Sequence, residues 1–180
     1  LAALFSGGKD STYAIYLAKK LGHSVDVLLT LHPNSSKSHL LHYPNIKFTS
    51  LQSESMKIPQ LIEKTTSDDS QNESKKLNSL VTLAKEKYSI EGIVHGGIIS
   101  KYQKDNFSVV CEKNQLDVIS PLWNKNSESY MKELLDEKFE YIISTVSSDG
   151  LNDSWLGKIV DENGLDDLKK LHKKFGFNLN

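Results

Sequence analysis

Leu1-Ala2-Ala3-Leu4-Phe5-Ser6-Gly7-Gly8-Lys9-Asp10-Ser11 opens the chain, and its order of apolar run, paired glycines and polar turn decides the architecture. The apolar run reads as a buried strand, the glycines as a tight turn, and Tyr13, Ile15, Tyr16 and Leu17 recur at helical intervals up to a glycine stop at Leu21-Gly22. Val25 to Leu31 is a second strand, rich in Val and Leu, closed by the loop Pro33-Asn34-Ser35-Ser36. A βαβ unit is therefore complete by residue 31. Further along the chain we expect an extended segment around Ile46 to Thr49, a helix starting at Pro59, and a solvated acidic loop from Thr65 to Asn72 that continues to Glu73 and includes Asp68 and Asp69. Leu77, Leu80, Val81 and Ala84 predict a helix, and Ile90 to His95 a strand that ends at a second glycine turn, Gly96-Gly97. Tyr102, Phe107, Val110 and Cys111 predict another helix, and Val118 to Ser120 a strand stopped by Pro121. This alternation argues an α/β fold with a parallel sheet covered by helices. Beyond it come a helix near Glu128 to Asp136, a strand at Tyr141 to Val146 and a helix around Leu165 to Phe175. They suggest a small α+β lobe, dividing the chain into 1–122 and 123–180.

Composition narrows the function. The chain has 180 residues, 38% hydrophobic and 25% charged, as in a globular protein. It contains no apolar run near the roughly 20 residues that span a bilayer and no secretory signal pattern, so the expected location is cytoplasmic and no membrane partner is expected. Leu1, not Met, begins a strand-like run, which suggests a trimmed end. A lone Cys111 rules out an intrachain disulfide, a four-cysteine zinc site and persulfide transfer between two cysteines of one chain. With Phe107 four residues before it, it reads as packed core. His39 and His42 stand three apart without a third ligand, and a metal site is not expected there. A net charge of −1 disfavours nucleic acid as a partner. All 22 cations are Lys, so phosphates must be held by backbone amides, hydroxyls and ammoniums.

A glycine pair between a buried strand and a helix is what phosphate binding requires, because glycine admits the anion to the backbone and the helix N-terminus supplies amides and dipole. Ser6 and Ser11 add hydroxyls, and Lys9 an ammonium. Asp10 either completes the cap or holds a magnesium ion bridging phosphates. An ordinary capped βα turn is the alternative reading. Neither G-x-x-x-x-G-K-[ST] nor G-x-G-x-x-G occurs. Thr30 to His32 end the second strand at the edge where open α/β sheets bind ligands, which suits an adenine base, although His32 also reads as a loop histidine without a role.

Ser6-Gly7-Gly8-Lys9-Asp10-Ser11 resembles the pyrophosphate loop of the N-type ATP pyrophosphatases. Three further segments resemble one branch of them, the diphthine ammonia ligase family: Gly96-Gly97-Ile98-Ile99-Ser100-Lys101-Tyr102-Gln103, then Leu116 with Pro121-Leu122-Trp123, then Gly150-Leu151-Asn152-Asp153-Ser154-Trp155-Leu156-Gly157-Lys158. The resemblance implies an open five-stranded parallel sheet of the adenine nucleotide α-hydrolase, Rossmann-like type. It implies an ATP-dependent ligase that adenylates the diphthine carboxylate of elongation factor 2 and amidates it with ammonia, releasing AMP and pyrophosphate. ATP and magnesium are the implied cofactors. Lys9 and Asp10 would be catalytic, Asp10 the metal ligand, and Ser6, Gly7, Gly8, Ser11, Thr30, His32 and Gly96 would bind nucleotide with them. Ser100, Tyr102, Gln103, Trp123 and Trp155 would meet the acceptor, Trp155 closing over its trimethylammonium; both tryptophans read equally as core.

The chain departs from the family in two places. Asn106-Phe107-Ser108 stands where the family carries Arg-Val-Glu, removing one cation and one carboxylate. A Glu-Gly-Gly-Glu type segment expected near the acceptor has no counterpart up to Asn180, which suggests a truncated lobe. Two rival readings stay open: a pyrophosphatase of the same superfamily acting on tRNA or a small metabolite, and a nucleotide-binding module without turnover. The oligomeric state is open, a homodimer included.

Overall fold

The computed structural model describes every residue except 37, 39–43 and 180, so His39 and His42 lie outside the described residues. The chain divides into two compact units, Leu1–Trp123 and Asn124–Asn180.

In the first unit, β1 (Ala2–Leu4), β2 (Val27–His32), β3 (Gln60–Lys64), β4 (Gly92–Val94) and β5 (Asp117–Ile119) form one parallel sheet in the order β3-β2-β1-β4-β5. Side chains alternate across the central strands and so feed two cores. Ala2, Leu29 and Ile93 face a cluster that includes Leu77, Leu80 and Val81 of α3 (Ser70–Tyr88) and Phe107, Val110 and Cys111 of α4 (Lys101–Lys113). Ala3, Leu28 and Val94 face Ala14, Ile15 and Ala18 of α1 (Lys9–Lys20). Helices thus cover both faces, as a doubly wound sheet demands. Cys111 is buried, and desolvation pushes its thiol up to about 11, which keeps it protonated and inert.

Three expectations for the first unit are corrected. The segment Ile46–Phe48 is a 3₁₀ turn, not a strand, and leads into α2 (Thr49–Met56), with Thr49 Oγ1 donating to Ile46 O at 2.7 Å. Pro59 precedes β3 instead of a helix: its carbonyl accepts the Leu28 amide at 2.8 Å, and Gln60 Nε2 donates to Thr30 Oγ1 at 2.7 Å. The acidic stretch is not a solvated loop throughout. Asp69 caps α3 by accepting from the Asn72 amide at 2.8 Å, and this bond, after that from Ser67, holds its carboxyl below the usual range. Asp68 accepts from Ser35 N at 3.0 Å and Ser35 Oγ at 2.6 Å, and Glu73 is 1% exposed.

The second unit holds α5 (Ser127–Asp136) and α6 (Glu162–Phe175), capped by Asn126 and Asp161. Its buried residues include Tyr130, Met131, Leu134, Trp155, Val160, Leu165 and Leu168. The strand expected at Tyr141 to Val146 reduces to two isolated bridges, Ile142 with Ile159 and Ile143 with Leu156.

Candidate active site

Strand order reverses between β1 and β4, and the turns that follow these strands open a crevice at the carboxyl edge. A cavity of about 180 Å³ lies there, its wall including Ser6, Asp10, Ser11, His95, Gly96 and Gln103. The glycines explain how two turns come so close. Gly7 sits at φ +77°, and a Cβ there would lie 2.3 Å from Gln52 Oε1. Gln52 of α2 braces the turn from outside by donating to Gly7 O at 2.9 Å. Gly8 has the extended φ of −82° of a helix N-cap, adds no capping side chain, and has no atom nearer a would-be Cβ than Ser6 Oγ at 3.6 Å. Its carbonyl accepts from Ser11 Oγ at 3.1 Å and Thr12 Oγ1 at 2.9 Å. Ser6 Oγ and Ser11 Oγ lie 3.3 Å apart, and Lys9 Nζ donates to Asp10 Oδ1 at 2.8 Å.

Gly96 is glycine for a different reason. A Cβ on it would fall 2.5 Å from Asp10 C, 2.6 Å from Asp10 O and 2.7 Å from Ser11 N. The second turn therefore rests directly on the backbone of the first. Ser100 caps α4, accepting from the Gln103 amide at 3.3 Å. Tyr102 in the first turn of α4 is 43% exposed, and Gln103 lines the cavity.

A larger cavity of about 570 Å³ is lined by His32, Asn34, Asn45, Ile46, Lys64 and Thr65, among others, and shares Ile46 with the crevice. His32 Nε2 is buried without a hydrogen-bond partner among the described residues, and desolvation, then the Lys64 ammonium, lowers its pKa. Thr30 does not reach this space. It is fully buried, donating to Phe5 O at 2.8 Å while accepting from Gln60, so its side chain ties β1 to β2 and β3.

Each tryptophan, read from sequence as either acceptor contact or core, has a lysine over its ring. Lys104 Nζ lies 4.3 Å from the ring centre of Trp123, and Lys158 Nζ lies 4.5 Å from that of Trp155. Trp155 is 8% exposed within its own unit, so core packing fixes it and a lysine already occupies a face a trimethylammonium would need. Asn106, in the position of the family's Arg, accepts from Ser74 Oγ at 3.0 Å and donates to Tyr102 O at 2.8 Å, joining α3 to α4. Gln52 and His95 escaped the sequence reading. Nothing in the sequence pairs Gln52 with Gly7, 45 residues away, and His95 looked like the last residue of a strand. No group of three metal-ligating side chains occurs among the described residues, and no helix there is long and apolar enough to cross a membrane.

Fold and crevice define an open, doubly wound α/β protein with a glycine turn at its strand-order switch. Residues 1–118 match the diphthamide synthase N-terminal domain model and residues 126–180 the diphthamide synthase C-terminal domain model. The diphthine–ammonia ligases of Rattus norvegicus and Homo sapiens are 32% and 31% identical, over 98% of this chain and 72% of each relative. That of Schizosaccharomyces pombe is 30% identical over 96% of this chain and 31% of the relative. A solved structure described as a "predicted subunit of tRNA methyltransferase" from Methanocaldococcus jannaschii aligns with a TM-score of 0.48 at 16% identity, over 99% of this chain and 88% of that one. The chain belongs to the diphthamide synthase family of diphthine–ammonia ligases.

Proposed function

We propose that this chain is an ATP-dependent amide ligase that converts the diphthine carboxylate of elongation factor 2 into diphthamide, working in the cytosol. A carboxylate oxygen attacks the α-phosphorus of ATP, the bond to the β-phosphate oxygen breaks, and pyrophosphate leaves. The nitrogen of ammonia then attacks the acyl carbon, AMP departs, and a proton passes to solvent. The observation that carries this reading is the close seating of Gly96 on the Asp10 and Ser11 backbone, which puts the two βα turns on one small crevice.

Positioning and charge do most of the work in such a reaction. Backbone amides of the turn and the hydroxyls of Ser6 and Ser11 hold the departing pyrophosphate, with Lys9 adding positive charge. Gly8 leaves side-chain-free space where phosphate approaches. The Asp10 carboxylate, partly exposed at the crevice, is the residue that would hold a magnesium ion. Bound there, magnesium would neutralise phosphate charge as pyrophosphate separates. The larger cavity, lined in part by His32, suits the adenine base. Ser100, Tyr102, Gln103 and Trp123 lie on the acceptor side. Tyr102 offers the accessible aromatic ring for the trimethylammonium, in place of Trp155.

The test is AMP release from ATP and ammonia with elongation factor 2 in its diphthine form, in its finished diphthamide form, and with tRNA. AMP formed only with the diphthine form supports the ligase. AMP formed with tRNA, or none with any acceptor, overturns it.

A further inference from the structure

His95 follows directly on β4 at the strand-order switch and is 2% exposed, yet it lines the crevice. Both ring nitrogens are engaged. Nδ1 accepts the Gly97 amide at 3.0 Å, and Nε2 lies 2.6 Å from Ser120 Oγ, just past the neighbouring strand β5. An amide can only donate, so Nδ1 carries the lone pair, and in the neutral ring Nε2 carries the proton and donates to Ser120. The ring is held edge to face against Phe107, centroids 5.0 Å apart. Burial, and next the Lys104 ammonium, lowers its pKa to about 4, in keeping with a ring that stays neutral during turnover.

Between the two residues joined by that Nδ1 bond stands Gly96, the residue seated on Asp10 and Ser11. The imidazole closes a short loop from His95 to Gly97 around it, so the ring governs where Gly96 sits. A Cβ on Gly97 would meet His95 Nδ1 at 2.9 Å and Cε1 at 3.0 Å, so this closure too depends on a glycine. The ring donates nothing into the crevice, because both its nitrogens face protein.

Resting on the ligase reading, we infer that His95 is a positioning residue for amide formation: its neutral imidazole, fixed between Gly97 N–H and Ser120 Oγ, sets the spacing between the acceptor-side turn and the Asp10 turn. Asn and Gln separate the two bonds. Asn places a carbonyl oxygen near the position of Nδ1 and can keep the Gly97 bond. Gln reaches toward Ser120 and gives the Gly97 bond up.

The experiment compares wild type with His95→Asn, His95→Gln and His95→Leu, measuring kcat and KM for ATP in AMP release with the diphthine form of elongation factor 2, and hydrogen exchange at the Gly97 amide. Misplacement of reacting groups acts on turnover more than on ground-state binding, so the Gln and Leu variants should lose about tenfold or more in kcat with KM for ATP within about threefold. The Asn variant should recover most of the lost turnover, and Gly97 should exchange about tenfold faster in the Gln and Leu variants than in wild type and Asn. An Asn variant as slow as Leu, a Leu variant with wild-type kcat, or equal Gly97 exchange in all four overturns the assignment. Failure of the ligase reading looks different, because wild type itself then releases no AMP.

Discussion

Gly8→Ala separates phosphate gripping from folding more cleanly than any change at Gly7. At Gly8 the backbone angle of −82° suits any residue, and the nearest atom to the added methyl is Ser6 Oγ at 3.6 Å, an ordinary contact. Alanine is a poorer N-cap than glycine by up to about 1 kcal/mol, and a stiffer unfolded chain offsets a similar amount. Stability should therefore stay within about 1 kcal/mol, or roughly 2–4 °C in melting temperature for a chain of this size. Binding should not be spared, since the methyl enters the space the phosphates need. Losing one charge-assisted hydrogen bond of about 1.5–3 kcal/mol weakens ATP roughly ten- to hundredfold. Gly7→Ala behaves differently: the left-handed angle of +77° adds roughly 1–2 kcal/mol of strain, and Gln52 must swing away from Gly7 O, giving up about 1 kcal/mol more. That variant should melt clearly lower whatever its ligand does. Equilibrium binding of ATP and thermal melting on both variants supply the assay. A Gly8→Ala protein that binds ATP like wild type, or that melts as low as Gly7→Ala, refutes the reasoning.

Gly96→Ala must push two backbones apart by roughly 0.9 Å to reach ordinary contact, so AMP release should fall about a hundredfold even where folded protein is recovered, and wild-type turnover would remove the seam from the site. Asp10→Ala should lower magnesium-dependent turnover more than AMP affinity, because AMP lacks the phosphates a bridging ion would neutralise; equal losses in titration and kinetics would make Asp10 a structural residue. Stability should rise with pH between about 4 and 6.5, because His95 titrates near 4 when folded and near 6.5 when unfolded, so the unfolded chain binds the extra proton in that window. The full effect, on the order of 3 kcal/mol, is present above about 6.5 and lost as pH falls toward 4. His32, also lowered, acts in the same direction, so chemical denaturation of His95→Asn should show a flatter but not level profile.

The sheet was legible where burial is two-sided, because β1 and β2 are continuous apolar runs and paired glycines mark their neighbours. It was illegible at the edge. β3 carries only Leu61 and Ile62 between polar residues, since an edge strand needs few apolar contacts, and Pro59 before it mimics a helix start. Glu73 was lost inside an acidic run because its burial comes from α3 folding over the sheet, which no local pattern announces. In the crevice, the residue types of the first turn were legible from spacing. Thr30 was misjudged, and Trp155 left open between acceptor and core, because accessibility belongs to the tertiary structure: Thr30 is consumed by Phe5 and Gln60, and Trp155 by its own unit. Gln52 and His95 act through contacts 45 and 25 residues apart in sequence, with Gly7 and Ser120 respectively.

Backbone resting on backbone at Gly96 also determines which wall of the crevice is adjustable. No rotamer stands between the two turns, so nothing there can be shaved or enlarged by degrees. Even the smallest added group meets peptide atoms. Other parts of the lining are side chains, Gln103 and Phe107 among them, whose volumes can be varied one methylene at a time. Redesign toward nucleophiles bulkier than ammonia, methylamine for instance, must therefore be carried by α4, while the glycine seam serves as the fixed reference against which the new shape is cut.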